Sequence, residues 1–295
     1  MGFKVVLLGA VESTVSRLIK SKTHDYPWDL SFCGADFTAE SEASVESYFQ
    51  AKKPSVVISL MAAPGDQVPV SALKNVSAVC ARQNLPIILQ SSYWAIQPAD
   101  ERAEILETFP FETHAGSIEY ARHESMAAAV DQHVILRSSW ILDSEEAGLF
   151  SSFLPVLVNP ERSSELVVSD HDYGAPVSCE FIADAIIAVV QQILTGAQNW
   201  GAYHLRSADA CSEAEFCDHL LRQLQKEVDV ELPSLSVASQ DDERRFFSMN
   251  ANLIGRRLTD DFGIQAPTWR KGYGRTLRAW LEPRAQDLGL SLIEH

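Results

Sequence analysis

Through the first half of the chain, apolar positions come in short runs separated by polar, helix-patterned stretches. Residues 5–8, 30–33, 56–60, 87–90 and 134–137 are brief, mostly aliphatic runs rich in Val, Ile and Leu. Runs of that length, bounded by turn residues, read as strands buried on both faces. Between them, residues 14–20, 44–51, 70–82 and 118–130 carry apolar side chains at helical spacing. Strand and helix alternate strictly up to about residue 140. This predicts an α/β fold with a doubly wound parallel sheet of the Rossmann type. Such sheets bind ligands at the carboxyl ends of their strands. Gly9, Ser91, Ser92 and residues 137–140 lie at such ends.

The pattern changes after Trp140. Residues 143–148 form a polar loop, and 150–158 an apolar segment closed by Asn159-Pro160. A short strand at 166–168 is followed by a turn-rich loop over 171–177 and a helix with a buried face over 180–194. Another short strand covers 203–205. Ser212 and Glu215 form a capping box that opens the helix carrying Phe216, Leu220 and Leu221. Helical patches over 250–280 are broken at 263–267. The expected organisation is a sheet domain over 1–143, with 166–195 packing back on it. Residues 144–165 and 196–295 form a smaller, interleaved α/β lobe, and the cleft between the two is the expected site.

Composition narrows the function classes. The 295 residues are 46% hydrophobic, ample for a core, and carry a formal net charge of −16. That charge argues against a nucleic-acid partner or an anionic membrane. The five cysteines are scattered, with no pair at metal-knuckle spacing. No metal is expected, and a reduced, cytoplasmic setting fits best. The N-terminus has no signal-peptide pattern, and no run reaches transmembrane length. His171 and His204 stand apart from other ligand-type residues and read as structural or surface histidines.

The first candidate chemistry lies at the start of the chain. The strand ending at Leu8 meets Gly9 and then a helix, the opening of a dinucleotide-binding βαβ unit. In extended short-chain reductases, glycines recur three and six residues after the first. Here those positions hold Glu12 and Val15. A helix N-terminus attracts anions through its free N–H groups. A carboxylate at Glu12 is expected to satisfy those donors from within the chain and to repel a pyrophosphate; it also reads as an ordinary acid favoured by the helix dipole. Asp36-Phe37, after the second strand, stand where an acid often meets an adenine, although a loop Asp is equally ordinary.

The second candidate lies on the helix before the 134–137 strand. Short-chain reductases carry Tyr-x-x-x-Lys there, the tyrosine as general acid and the lysine holding the nicotinamide ribose. This chain has Tyr120 and, at the lysine position, Glu124. Arg122 is the nearest cation, but two residues from Tyr120 it points to another helix face. Ser92, or Ser91, occupies the place of a Ser or Thr that bonds the substrate carbonyl. The following Tyr93-Trp94 pair lines the pocket or packs.

Together these segments resemble the dTDP-4-dehydrorhamnose reductase family, the sugar-nucleotide-binding branch of the extended short-chain dehydrogenases. Residues 135–140, Ile-Leu-Arg-Ser-Ser-Trp, are similar to the family's LRTSW strand end. Residues 167–176 are similar to its VVDDQ-x-GSPT loop. Gly201-Ala202-Tyr203-His204, with residues 211–216, is similar to its G-x-YH and S-x-x-EF pattern. The resemblance runs in order along nearly the whole chain. It implies a lobe that holds a nucleotide-sugar and hydride transfer from NAD(P)H to a 4-keto sugar. It also implies catalytic positions at Tyr120 and Ser92, cofactor positions at Gly9, Glu12, Asp36 and Phe37, and substrate positions at Tyr93, Arg137, Trp140 and Asp172. The chain departs from the family where the chemistry would be. Of the motif glycines only Gly9 remains, the lysine is Glu124, and the family's Asn position is Pro69.

The family also holds members that bind partners without catalysing, such as the regulatory beta subunit of methionine adenosyltransferase. The expected function is therefore a pseudo-reductase with weak or lost NAD(P) binding. Its partner is a nucleotide or nucleotide-sugar, or a protein, with a homodimer as a further option. The alternative is a working NAD(P)H-dependent reductase of a nucleotide-linked 4-keto sugar, with a rearranged site. If a ligand is retained, Arg137 is expected to be salt-bridged within the fold, while Ser92, Tyr93, Tyr120 and Asp172 face an accessible pocket.

Overall fold

The computed structural model describes residues 2–9, 12–33, 39–60, 69–96, 115–143, 149–158, 165–238 and 251–294. The first half alternates β1 (Phe3–Leu8), α1 (Thr14–Lys22), β2 (Trp28–Cys33), α2 (Glu42–Lys52), β3 (Val56–Ser59), α3 (Val70–Gln83), β4 (Ile87–Ser92), α4 (Ala115–Ala128) and β5 (His133–Ser138). The second half contains β6 (Ile141–Leu142), α5 (Leu149–Leu157), β7 (Glu165–Val168), β8 (Tyr173–Gly174), β9 (Val177–Ser178), α6 (Cys179–Leu194), β10 (Gly201–Leu205), β11 (Cys211–Ser212), α7 (Glu213–Glu227), β12 (Ser234–Val237), α8 (Arg256–Phe262) and α9 (Tyr273–Leu281).

The aliphatic runs form one parallel six-stranded sheet in the order β10-β5-β4-β3-β1-β2, as the alternation predicts. Successive side chains of a strand point to opposite faces, so each run feeds two cores. Val5, Leu7, Ile58, Ile88 and Leu136 pack on the face covered by α1 and α6. Val6, Leu8, Val57, Leu89 and Ile135 pack on the face covered by α2, α3 and α4. A third core belongs to the smaller lobe. There Trp140, Phe150, Phe153, Phe216, Trp269, Tyr273 and Trp280 gather around α5, α7 and α9.

The lobe boundaries drawn from sequence are corrected at two places. Residues 201–205 do not join the smaller lobe: β10 pairs in parallel with β5 and is the sheet's edge strand. Conversely, β7 does not pack back on the sheet. It pairs with β12, and Leu166 and Val168 lie in the small-lobe core. The return to the sheet begins at β9, which pairs with β6, and continues through α6. The capping box at α7 is present in both directions: Glu215 N donates to Ser212 Oγ at 3.1 Å, and Ser212 N to Glu215 Oε2 at 3.1 Å.

Candidate functional site

At the amino end of α1, Gly9 has φ of 76°, a left-handed turn that glycine makes without strain. Glu12 does not close the helix. It lies exposed, outside the N-cap, and Ser13 is the capping residue. Ser16 N donates to the Ser13 Oγ at 3.2 Å, so a neutral hydroxyl satisfies a donor that the sequence had assigned to the Glu12 carboxylate. Thr14 Oγ1 donates to Asp143 Oδ1 at 2.8 Å, tying this helix end to the chain beyond β6. Asp36 and Phe37 lie outside the described residues.

The second candidate resolves into a buried charge network. Helix α4 lies over β4 and β5, on the face that receives Ser91 and Arg137, paired in register. Glu124, in the lysine position, points into that space and is buried. Arg137 donates from Nη2 to Glu124 Oε2 at 2.7 Å and from Nε to Oε1 at 3.0 Å, a bidentate fork. Ser91 Oγ donates to Glu124 Oε1 at 2.6 Å. Arg137 is thus salt-bridged within the fold, as expected. Its partner is the residue that stands for the lysine. Ser91, rather than Ser92, faces this group, because the pleat sends neighbouring side chains to opposite sides. Ser92 Oγ instead accepts from Trp94 N at 3.4 Å and caps the short turn over Tyr93–Ala95. Arg122 is exposed, on a different face of α4 from Tyr120.

The third group joins the lobes. Burial, and then the neighbouring Tyr120, push the Tyr93 phenol well above the ordinary tyrosine range; hydrogen bonds with Trp94 and Trp140 oppose this, and the Asp172 charge adds to it. Tyr93, Tyr120, Trp140 and Asp172 therefore share one neighbourhood. Ser92, Tyr93, Tyr120 and Asp172 are only 8%, 6%, 8% and 7% exposed, which corrects the expectation that they face an accessible pocket. Trp140, expected to meet substrate, is 1% exposed and lies edge-on to Phe216 at 6.3 Å. Gly174 passes so close to the Trp140 indole that a Cβ there would overlap the ring.

Ser139 is a residue that sequence reasoning quoted but gave no role. Its Oγ donates to Ala251 O at 2.7 Å and accepts from Ala175 N at 2.9 Å, tying the residue just past β5 to the chain after β8 and to the segment before α8. The signal was its place inside the strand-end motif. His204 Nδ1 lies 2.9 Å from Ile254 O, joining β10 to the chain before α8, and His171 Nε2 lies 3.1 Å from the neighbouring Asp170 Oδ1. Among the described residues no group of three His, Cys, Asp or Glu side chains is placed to hold a metal. No helix among them is long and apolar enough to cross a membrane.

With this geometry in view, the chain matches the RmlD substrate binding domain family over residues 12–281. The chain belongs to that family. A dTDP-4-dehydrorhamnose reductase of Escherichia coli K12 is 23% identical over 168 residues, which cover 55% of this chain and 54% of that protein. The match thus spans about half the length of that curated relative. Among solved structures, a dTDP-4-dehydrorhamnose reductase of Clostridium acetobutylicum is similar with a TM-score of 0.71 and 16% identity, covering 95% of this chain and 99% of that one. The Bacillus anthracis reductase in complex with NADP gives 0.66 at 17% identity, covering 94% and 98%. WbmG of Bordetella bronchiseptica, in complex with NAD and UDP, gives 0.69 at 13% identity, covering 97% and 95%. At these identities the likeness to solved structures is one of fold.

Proposed function

We propose that this member of the family is a pseudo-reductase: it keeps the fold, binds a nucleotide or nucleotide-linked sugar, and transfers hydride poorly or not at all. The observation that carries the reading is Glu124, held by Arg137 at 2.7 Å and by Ser91 at 2.6 Å where the family places a lysine. A lysine there offers a mobile cation to a tyrosine and to a ribose. A carboxylate already neutralised by a guanidinium offers neither. Arg137 cannot stand in, because its fork is committed to Glu124 and letting go would leave a buried carboxylate unpaired.

The residues present also fit a nicotinamide dinucleotide poorly. Such a cofactor, when bound, supplies the hydride. Here the family's ribose-holding lysine position is Glu124, the α1 N-terminus is capped by Ser13, and Glu12 stands exposed just outside it. The nucleotide side rests on family membership and on the bond pattern at Ser139, which holds the lobe junction together. A ligand reaching Tyr93 and Asp172 there must part the lobes slightly, since both are buried.

Two titrations test the reading. Calorimetry with NADH and NADPH is expected to give binding weaker than micromolar. A thermal-shift panel of nucleotides and nucleotide-sugars is expected to raise the melting point with at least one member, as binding to the native state stabilises by mass action. If nothing in the panel shifts the protein, the ligand reading fails and a protein partner takes its place. NADPH oxidation abolished by Tyr120→Phe would replace the proposal with a working reductase.

A further inference from the structure

The parallel sheet ends differently at its two edges. Along β10, Arg257 Nη1 donates to Ala202 O at 3.0 Å and His204 Nδ1 lies 2.9 Å from Ile254 O, so the chain entering α8 covers that edge. The other edge is β2, which pairs only with β1. Phe3 N donates to Pro27 O at 2.8 Å. By the alternation of a strand, Asp29 and Ser31 then also turn their main-chain groups to β1, while Trp28, Leu30 and Phe32 turn theirs outward. Among the described residues no main-chain hydrogen bond reaches those outward groups. The side chains of Trp28, Leu30 and Phe32 lie on the face of α1 and α6 and are half-buried there; Phe3, beside Trp28, is 39% exposed.

We infer that this edge pairs with the β2 edge of a second copy, antiparallel about a two-fold axis at Leu30, so that two sheets become one. The sequence Trp28-Asp29-Leu30-Ser31-Phe32 is self-complementary in that register. On one face Trp28 of each copy meets Phe32 of the other, and Leu30 meets its own counterpart. On the opposite face Asp29 meets Ser31, whose hydroxyl donates to the carboxylate. Neighbouring registers lose this match. Centring on Asp29 sets that carboxylate against its own counterpart, and centring on Ser31 leaves Trp28 beyond the end of the opposite β2. A single strand gives a small contact, and Arg17 and Lys20, exposed on α1, oppose it together with the net charge of −16. The dimer is therefore weak and tightens as salt screens those charges. β2 takes no part in the Glu124 network, so the inference is independent of the proposed function.

The test is sedimentation velocity of the full chain, from low to high micromolar concentration, at low and at high salt. The expected result is a monomer–dimer equilibrium that moves towards dimer with concentration and with salt. Ser31→Asp, which sets a second carboxylate opposite Asp29, should raise the dimer dissociation constant by about tenfold or more, and Ser31→Lys, which sets a cation there, should lower it. A measurement on the wild type needs no variant: amide exchange at Trp28, Leu30 and Phe32 should slow as concentration rises. A monomer under every condition, a dimer that both Ser31 variants leave unchanged, or a dimer in which those amides gain no protection would each overturn the inference.

Discussion

Glu124 stands at the position where the family resemblance places a lysine, and its carboxylate is held inside the fold by Arg137 and Ser91. The sequence made its inverted charge plain, and it also made Arg137 a candidate for an internal salt bridge. That the two are partners was not legible, because they sit on different elements and only the packing of α4 against β5 brings them together. A buried pair of this kind is costly to break from one side, about 3–5 kcal/mol. Glu124→Gln is therefore expected to lower stability by that order, measured by urea denaturation. Glu124→Lys, which restores the family's residue type, should be worse and should not create NADPH oxidation, since it sets two cations together. Glu12 teaches the opposite lesson. A carboxylate near a helix end was easy to see, yet the hydroxyl at Ser13 was the better cap, and the residue type at that position was the available signal. Gly174 gives a second residue test. An added methyl group would enter the Trp140 ring, so Gly174→Ala should cost about 1–3 kcal/mol by overpacking and loosen the lobe junction.

At the scale of elements, long patterned helices and aliphatic strands were legible, while short strands were not. A five-residue run such as β10 declares itself a strand without saying which sheet it joins, and its partner β5 is remote in sequence. The helix α7 was marked from its first residue by the capping box, and Ser212→Ala should cost about 1 kcal/mol. The same helix carries His219, whose ring lies 5.0 Å from Trp269 and 5.3 Å from Tyr273. Burial first, and then Lys226, lower its pKa, with Arg222 adding and Asp218 opposing. A histidine whose folded pKa is depressed contributes stability above its unfolded value, near 6.5, and that contribution is lost as pH falls through the folded value. The packing of α9 on α7 should therefore weaken as pH falls from about 6.5 into the acid range. Unfolding of wild type and His219→Gln compared across that range should show the difference between them shrinking in acid. A difference that does not change with pH would remove the histidine from the account.

For the whole molecule, the alternation of apolar runs and helical stretches specified the parallel sheet, and the order of motifs specified the family, to which the chain belongs over residues 12–281. What the linear pattern could not convey was burial. Ser92, Tyr93, Tyr120 and Asp172 are polar or aromatic residues that read from sequence as a site facing water, and all four are buried in the fold. The central claim is that this enclosed and charge-inverted site retains the reductase fold without its hydride transfer. It is tested most directly by following NADPH absorbance with the protein in excess over a dTDP-linked 4-keto sugar, for wild type and Tyr120→Phe side by side. The account predicts traces for both proteins that match the protein-free background. A wild-type trace that falls well above background, and that Tyr120→Phe abolishes, would contradict it.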